Sequence, residues 1–375
     1  MARAKKKKEV VRGKISTEQL RGLLNKKAGE TIAYDLGANN PTDVVDWIPT
    51  GARWLDSIIC KGKLAGIPVG KVSEIAGLTA TGKSYMAAQI AANAQKKGIV
   101  PVYFDSESAL DSDFLINAGC NLEELIYIQA RSVEFVLETI EDIMAASETR
   151  HLFILDSLAF TPAESDIAGD YNPQSSMAVK PRVMAKGLSK LIIPLANTQS
   201  TFLILNQLKT NISSNLFDMK MNPYFTPGGK ATAYSYSLRI WLTGKQTKDS
   251  AIYDDKGYKV GSEIKARLKK SRFGTENRTC EFKILWGADS VAIQDEESWL
   301  EAIRPSDQIK TGAWNTLFYQ DGTEKKFQRA TWLKELEDPL FRAEVLRIMD
   351  EEVIQKFESR EGNASDYYDS QDSEE

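Results

Sequence analysis

The sequence predicts an α/β protein built on a mostly parallel central sheet with helices on both faces. Three observations carry that expectation. Short apolar runs alternate with helix-patterned stretches from about Trp47 to Trp299, the order expected of strands joined by crossover helices. One run ends in a glycine-rich turn that opens a helix, and a later run ends in a carboxylate, so chemistry collects where strands end.

In chain order, Ser16 to Lys27 opens on a good cap residue, sets Leu20, Leu23 and Leu24 on one helical face and stops near Gly29. Asn39-Asn40-Pro41-Thr42-Asp43 reads as a linker. Strands are expected at Val72–Ala76, Pro101–Asp105, Leu152–Asp156 and Thr201–Asn206. Helices are expected from Ser84 to Ala94, around Val133–Ala146 and near Val183–Ala196. Strands around Ser237–Thr243 and Glu263–Lys269 lack intervening helices and read as an antiparallel extension. From Arg304 to Glu358 a smaller piece mixes Trp314, Phe318, Tyr319, Phe327 and Trp332 with an amphipathic helix, Pro339–Phe357. The expected organisation is a basic N-terminal oligomerisation arm (1–45), a core (46–300), a small C-terminal domain (301–357) and an acidic disordered tail (358–375).

Composition narrows the function. No apolar run approaches the roughly 20 residues needed to span a bilayer, and Lys5 to Lys8 have no apolar segment behind them, so neither a membrane role nor a secretory signal is expected. Cys60, Cys120 and Cys280 are far apart, which argues for free thiols and a reducing, cytoplasmic setting. His151 is the only histidine, which argues against zinc sites and histidine triads and makes His151 itself structural. The net charge of −4 hides a basic start, Arg3 to Lys27, and an acidic end. Such ends are either solvated tails or a basic arm for nucleic acid or a partner with an acidic competitor.

The residues Gly77-Leu78-Thr79-Ala80-Thr81-Gly82-Lys83-Ser84 fit G-x-x-x-x-G-K-[ST] between a strand and a helix. Loop N–H groups and the positive helix end then face one anion. Lys83 reaches the outer phosphates, and the Ser84 hydroxyl holds Mg²⁺. Asp156 ends an apolar strand and can orient the same ion through its water shell. The strand Pro101–Asp105 is expected beside the phosphate-loop strand, which brings Glu107 to the γ-phosphate, where a carboxylate can take a proton from the attacking water. The plain alternatives are a glycine turn before a core helix and a surface glutamate.

These motifs lie in a longer series: Ile48-Pro49-Thr50-Gly51 with Leu55-Asp56, Gly66 to Ile75, the phosphate loop, Asp105 to Asp111, and Phe153 to Ser157. Leu205-Asn206-Gln207, Pro227 to Ala231 and Lys270-Ser271-Arg272 complete it. In this order the segments resemble RecA-type recombinases, most of all the phage branch of UvsX-type recombination and repair proteins. The resemblance covers about Trp47 to Trp299 and implies a RecA-like P-loop ATPase core using ATP and Mg²⁺. It implies that Asp111 contacts the adenine edge, Phe114 stacks on the base, and Gln207 senses the γ-phosphate and passes this to the DNA loop behind it. Lys270 and Arg272 resemble a cation pair that a neighbouring subunit inserts across the nucleotide. Ser165 to Ser176 and Lys209 to Pro227 resemble two DNA loops; Arg182, Lys209, Lys220 and Lys230, with the Gly228 and Gly229 amides, suit phosphate contact without base readout. Pro181 inside a helix departs from expectation, as do Ala185 and Ser189 where bacterial members carry polar or basic DNA contacts.

The implied function is an ATP-dependent recombinase forming helical filaments of identical subunits on single-stranded DNA and pairing it with double-stranded DNA. A single-strand-binding protein and a mediator are expected partners, and the host cytoplasm the location if the chain is phage-encoded. Alternatives are a hexameric DNA helicase of the same fold, a loader or clock-type ATPase, and a non-catalytic recombination mediator.

Overall fold

The computed structural model describes residues 15–38, 40–59, 62–108, 110–169, 179–212, 216–221, 223–244, 250–286 and 293–355. The basic stretch before Ile15, most of the segment 165–176 expected as a first DNA loop, the side chain of Lys230 and the acidic tail lie outside the described residues. Two compact units divide the chain, Met1–Asp43 and Val44–Glu375.

In the first unit, α1 (Thr17–Ala28) is a single helix closed at both ends. The Ser16 hydroxyl accepts from the Gln19 N–H at 3.2 Å and the Gln19 side chain accepts from the Ser16 N–H at 3.1 Å, satisfying two otherwise orphaned donors. Gly29 turns left-handed, with φ 76°, and ends it. Leu20, Leu23 and Leu24 share an exposed face.

In the second unit the chain runs through β1 (Val72–Gly77), α2 (Lys83–Gln95), β2 (Val100–Asp105), α3 (Ser112–Asn117) and β3 (Ile126–Gln129). It continues through α4 (Val133–Ala146), β4 (His151–Asp156), α5 (Val179–Thr198), β5 (Thr201–Gln207), α6 (Gly229–Ser235) and β6 (Leu238–Gly244). Then come β7 (Ala251–Tyr253), β8 (Lys259–Ser271), β9 (Thr279–Leu285) and β10 (Ile293–Gln294). These strands form one ten-stranded sheet in the order β10-β9-β8-β6-β1-β5-β4-β2-β3, with β7 paired to β8. From β6 to β3 every pairing is parallel; those of β7 to β10 are antiparallel.

Two sequence expectations are corrected here. The strand Pro101–Asp105 does not lie beside the phosphate-loop strand: β1 sits between β5 and β6, and β2 between β4 and β3. The crossover through α2 skips two positions that β5 and β4 later fill; chain neighbours are sheet neighbours only about two-thirds of the time. The strand near Ser237–Thr243 is parallel to β1, so the antiparallel extension begins at β8.

Alternate residues of the parallel strands feed two cores. Ile75, Tyr103, Leu152, Ile154, Leu203 and Leu205 pack with Met86, Ala87 and Ile90 of α2. Val72, Val102, Phe104, Phe153, Leu155, Phe202 and Ile204 pack with Val136, Leu137 and Ile140 of α4 and Leu188, Leu191 and Leu195 of α5. Strands buried on both faces explain the near-continuous apolar runs. Pro181 lies in the first turn of α5, where the missing N–H has no helical acceptor to lose.

Both segments that resemble DNA loops contain regular structure. Glu164–Ala168 is a short helix, its Asp166 carboxylate accepting from the Ala163 N–H at 3.1 Å. Leu216–Met221 is helical, and Lys209–Thr210 pairs with Tyr224–Phe225. Near the C-terminus, Trp332, Phe327 and Phe341 pack ring against ring. The helix from Pro339 ends at Ile348, nine residues short of the expected Phe357, and passes into a wider turn, Met349–Val353. Arg53 pairs with Asp350 of that turn at 2.7 Å.

Asp56 is buried, accepting from the Thr50 N–H at 3.1 Å and the Thr50 hydroxyl at 2.7 Å through Oδ1. Burial pushes its carboxyl up to about 8, from an ordinary 3.8, against the pull of the Thr50 donors. The folded chain thus holds a proton that the unfolded chain releases, so stability falls as pH rises from about 4 towards 8. Asp56→Asn keeps Oδ1 and removes the titration. Urea midpoints taken across this window should decline less with pH in the variant, and an equal decline would refute the assignment.

Candidate functional site

Parallel register aligns the strand ends. Gly77 lies opposite Gln207, and Asp105 opposite Asp156. The turn from Gly77 to Ser84 leaves β1 at this edge, and α2 begins at Lys83. A close approach calls for glycine at Gly77, and a left-handed backbone calls for it at Gly82. A Cβ on Gly77 would stand 2.3 Å from Thr81 Oγ1, and one on Gly82, which has φ +73°, 2.4 Å from Ile284 Cδ1. Thr81 Oγ1 donates to the Leu78 carbonyl at 2.8 Å, while Thr79 and Ala80 form the exposed tip. Lys83 Nζ donates to the carbonyls of Gly77 at 3.3 Å and Leu78 at 3.0 Å. Burial pushes this amine down, and the Asp156 and Glu107 charges pull it back up.

The Ser84 hydroxyl donates to Asp156 Oδ2 at 2.8 Å, and the buried Tyr103 hydroxyl donates to the same oxygen at 2.8 Å. Burial raises the Asp156 carboxyl; these two donors oppose the rise, and Glu107 and Asp105 add to it. Glu107 accepts from the Ser157 hydroxyl at 2.9 Å. Its turn is shaped by Asp105, whose Oδ1 accepts the N–H groups of Glu107 at 2.8 Å and Ser108 at 2.9 Å. A cavity of about 420 Å³ is lined by Ser84, Tyr85, Glu107, Asp111, Phe114 and Asp156 among others. Glu107 lines this cavity together with Ser84, and Ser157, which follows β4, holds it there, although β2 is remote from β1.

Among the described residues no group of three or more His, Cys, Asp or Glu is arranged to hold a metal. The convergent Ser84 and Asp156 oxygens instead suit Mg²⁺, which keeps several waters and takes few protein ligands. Asp111 caps α3, accepting from the Asp113 N–H at 3.2 Å. Phe114 stands edge-on to Tyr85, centroids 4.3 Å apart, and Tyr85 is tilted to Trp286 at 6.2 Å. Tyr85 and Phe114 both line the cavity.

Sequence reasoning missed Tyr103, Tyr85 and Trp286. Tyr103 could have been found by alternation, since it shares a strand face with Asp105; the other two meet only in three dimensions.

Gln207 lies at the same edge, opposite Gly77, while the other expected residues lie apart. Gln207 ends β5, its N–H bonded to Asn206 Oδ1 at 2.9 Å. Lys270 Nζ donates to the carbonyls of Ala233 at 3.0 Å and Tyr234 at 2.8 Å, and Arg272 to that of Tyr234 at 2.9 Å. Arg182, Lys209 and Lys220 are exposed. Gly228 precedes α6 and Gly229 begins it against the Pro181 ring, one residue from Arg182. Lys180, also missed, donates to the Ala159 carbonyl at 3.2 Å. Burial pushes its amine down to about 8, Asp166 pulling it up and Lys209 pushing it down.

A family model described as the RecA N-terminal domain matches residues 17–291. The chain belongs to the RecA family. It is 31% identical to Protein RecA of Chlamydia felis over 273 residues, 73% of this chain and 74% of that one. Over the same shares it is 30% identical to Protein RecA of Chlamydia caviae and of Chlamydia trachomatis serovar L2. The match spans the phosphate loop and the strands through Leu285. Among the described residues no helix is long and apolar enough to cross a membrane.

Tyr103→Phe keeps the packed ring and removes one of the donors to Asp156. Mg²⁺ titration of fluorescent-nucleotide binding should show about tenfold weaker dependence on the ion, the usual scale for a group supporting a ligand. An unchanged titration would deny Tyr103 that role.

Proposed function

We propose that this RecA-family protein is a DNA-dependent ATPase that assembles head to tail on single-stranded DNA and exchanges strands with a homologous duplex. The observation carrying this reading is the separation of two phosphate-seeking groups on one sheet. Lys270 lies opposite Arg239, which lies opposite Glu74, three residues before Gly77. At about 3.3 Å per residue and 4.8 Å per strand, the Lys270 backbone is on the order of 14 Å from the phosphate loop of its own chain. Arg272 is farther, its N–H bonded to the Ser237 carbonyl at 3.0 Å. Cations held at one edge and a phosphate loop at the other suit a heterologous interface, which propagates into a helix when the rotation does not close.

Within one subunit the Gly77–Gly82 amides and Lys83 would hold the phosphates. Ser84 and Asp156 would hold Mg²⁺, which when bound neutralises charge on the phosphate oxygens. Asp111 and the Phe114 wall would seat the base. Glu107, steadied by Ser157, would accept a proton from the attacking water. Gln207 would meet the γ-phosphate, and Lys270 and Arg272 of the next subunit would spread the transition-state charge.

Arg182, Lys209, Lys220 and Lys230, with the Gly228 and Gly229 amides, would take DNA phosphates, each subunit adding a few contacts to a salt-sensitive whole. Helix α6 supports a coupling between these events. It begins at Gly229, beside the DNA-loop residues, and its final carbonyls anchor Lys270 and Arg272. The UvsX-type phage assignment, the host cytoplasm as location, and single-strand-binding and mediator partners belong to the same proposal and rest on the motif resemblance.

Lys83→Ala and Lys270→Ala should each abolish or severely reduce ATP turnover with single-stranded DNA. Mixed in equal amounts they should recover part of it, since about a quarter of random head-to-tail junctions join an intact loop to an intact cation. Absence of any recovery, with both variants still assembling in electron micrographs, would refute the shared site. Closed rings in place of helical filaments would favour a hexameric helicase.

A further inference from the structure

A buried ion pair behind the phosphate loop has no part in the chemistry above. Glu74, on β1, is 1% exposed, and its Oε2 accepts from Arg239 Nε of β6 at 2.6 Å. Its Oε1 accepts from Asn206 Nδ2 of β5 at 3.0 Å. One carboxylate thus ties together three adjacent strands. Both cross-links continue outward to the same short segment. Arg239 donates from its other arm to Thr226 Oγ1 at 2.8 Å, and Asn206 Nδ2 also donates to the Pro227 carbonyl at 2.9 Å. Asn206 is fully buried and its Oδ1 accepts the Gln207 N–H at 2.9 Å.

We propose that Glu74, Arg239 and Asn206 are positioning residues that couple the phosphate site to the base of the second DNA loop, gripping that loop at Thr226 and Pro227. This rests on the nucleotide and DNA reading above and adds the route between the two ligands. Gly77 lies opposite Gln207 and its carbonyl accepts the Leu208 N–H at 3.0 Å. A displacement at the phosphate loop therefore reaches Asn206 through one residue of β5, and Pro227 through one further hydrogen bond. From there the chain enters Gly228 and α6, which anchors the Lys270 and Arg272 side chains.

A purely stabilising role is a poor account of such a pair. Burying two charges is costly, and well-packed apolar residues in their place are often as stable or more so. What an ion pair with forked hydrogen bonds supplies is direction: the guanidinium fixes Glu74 and Thr226 in one plane, and the Asn206 amide fixes Glu74 and Pro227. Burial pushes the Glu74 carboxyl up, while the Arg239 charge and the Asn206 bond pull it back.

Removing either charged partner would leave the other buried and unpaired, and the chain could simply fail to fold. Thr226→Val is the cleaner test, because it cuts only the grip on the loop and leaves Arg239 on Glu74. The full-length protein is assayed for ATP turnover with and without saturating single-stranded DNA, beside its DNA-binding midpoint and its melting temperature. Thr226→Val should lower the ratio of stimulated to unstimulated turnover by about fivefold to tenfold, and Thr226→Ser should restore it to within about twofold. A ratio equal to wild type in the valine variant overturns the inference. So does failure of the serine variant to restore it, or a deficit that vanishes as DNA is raised to saturation. Wild-type protein without any stimulation by DNA would instead overturn the functional reading, and this inference with it.

Discussion

The backbone hydrogen bonds of β1 with its two parallel neighbours constrain everything else in the second unit. Their register sets Gly77 against Gln207 on one side and Leu242 on the other. The phosphate loop must then leave the sheet at a fixed height, with α2 starting immediately beyond it. The same register carries Asp156, through β5 and β4, to the edge where the Ser84 hydroxyl meets it. A slip of one residue would turn Ile75 out of its core and Val72 into the wrong one. Packing on both faces therefore protects the geometry of the site.

Electrostatics gives that edge its character. The Asp156 and Glu107 charges act on the partly buried ammonium of Lys83, which rests on loop carbonyls. The arrangement tolerates its negative charge through hydroxyl and N–H donors from Ser84, Tyr103 and Ser157 and from the Asp105-shaped turn. Such a site suits a cation-accompanied anion, whose negative oxygens the loop amides and Lys83 would meet and whose counter-ion the carboxylates would meet.

The opposite edge is built on different terms. There the cations sit at a helix end, Lys270 and Arg272 on the last carbonyls of α6, where backbone partial charge favours them. Between the edges lies Glu74 with Arg239 and Asn206, a buried polar junction across three adjacent strands of the sheet. The division into a loop edge, a cation edge and a polar middle is the geometry on which the proposed link between assembly and ligand state rests.

Much of this was legible in the chain because it is local. The Ser16 cap and Gly29 stop delimit α1 from adjacent residues alone, α4 spans the Val133–Ala146 read from its spacing, and G-x-x-x-x-G-K-[ST] with Asp156 marks the phosphate edge within short windows. Strand order was not legible: parallel strands are joined by crossovers whose length does not say how many positions they skip, so β2 was misplaced beside β1. Tyr85 against Trp286, Lys180 against Ala159 and Glu74 against Arg239 were equally hidden. Each pairs residues far apart in the chain, and each residue alone reads as an ordinary aromatic or surface charge. Sequence by itself determined which residue types end which elements, because caps, glycine turns and periodicity act over a few bonds. Only the tertiary structure decided which ends meet, because sheet pairing and burial are settled by partners the local chain does not contain.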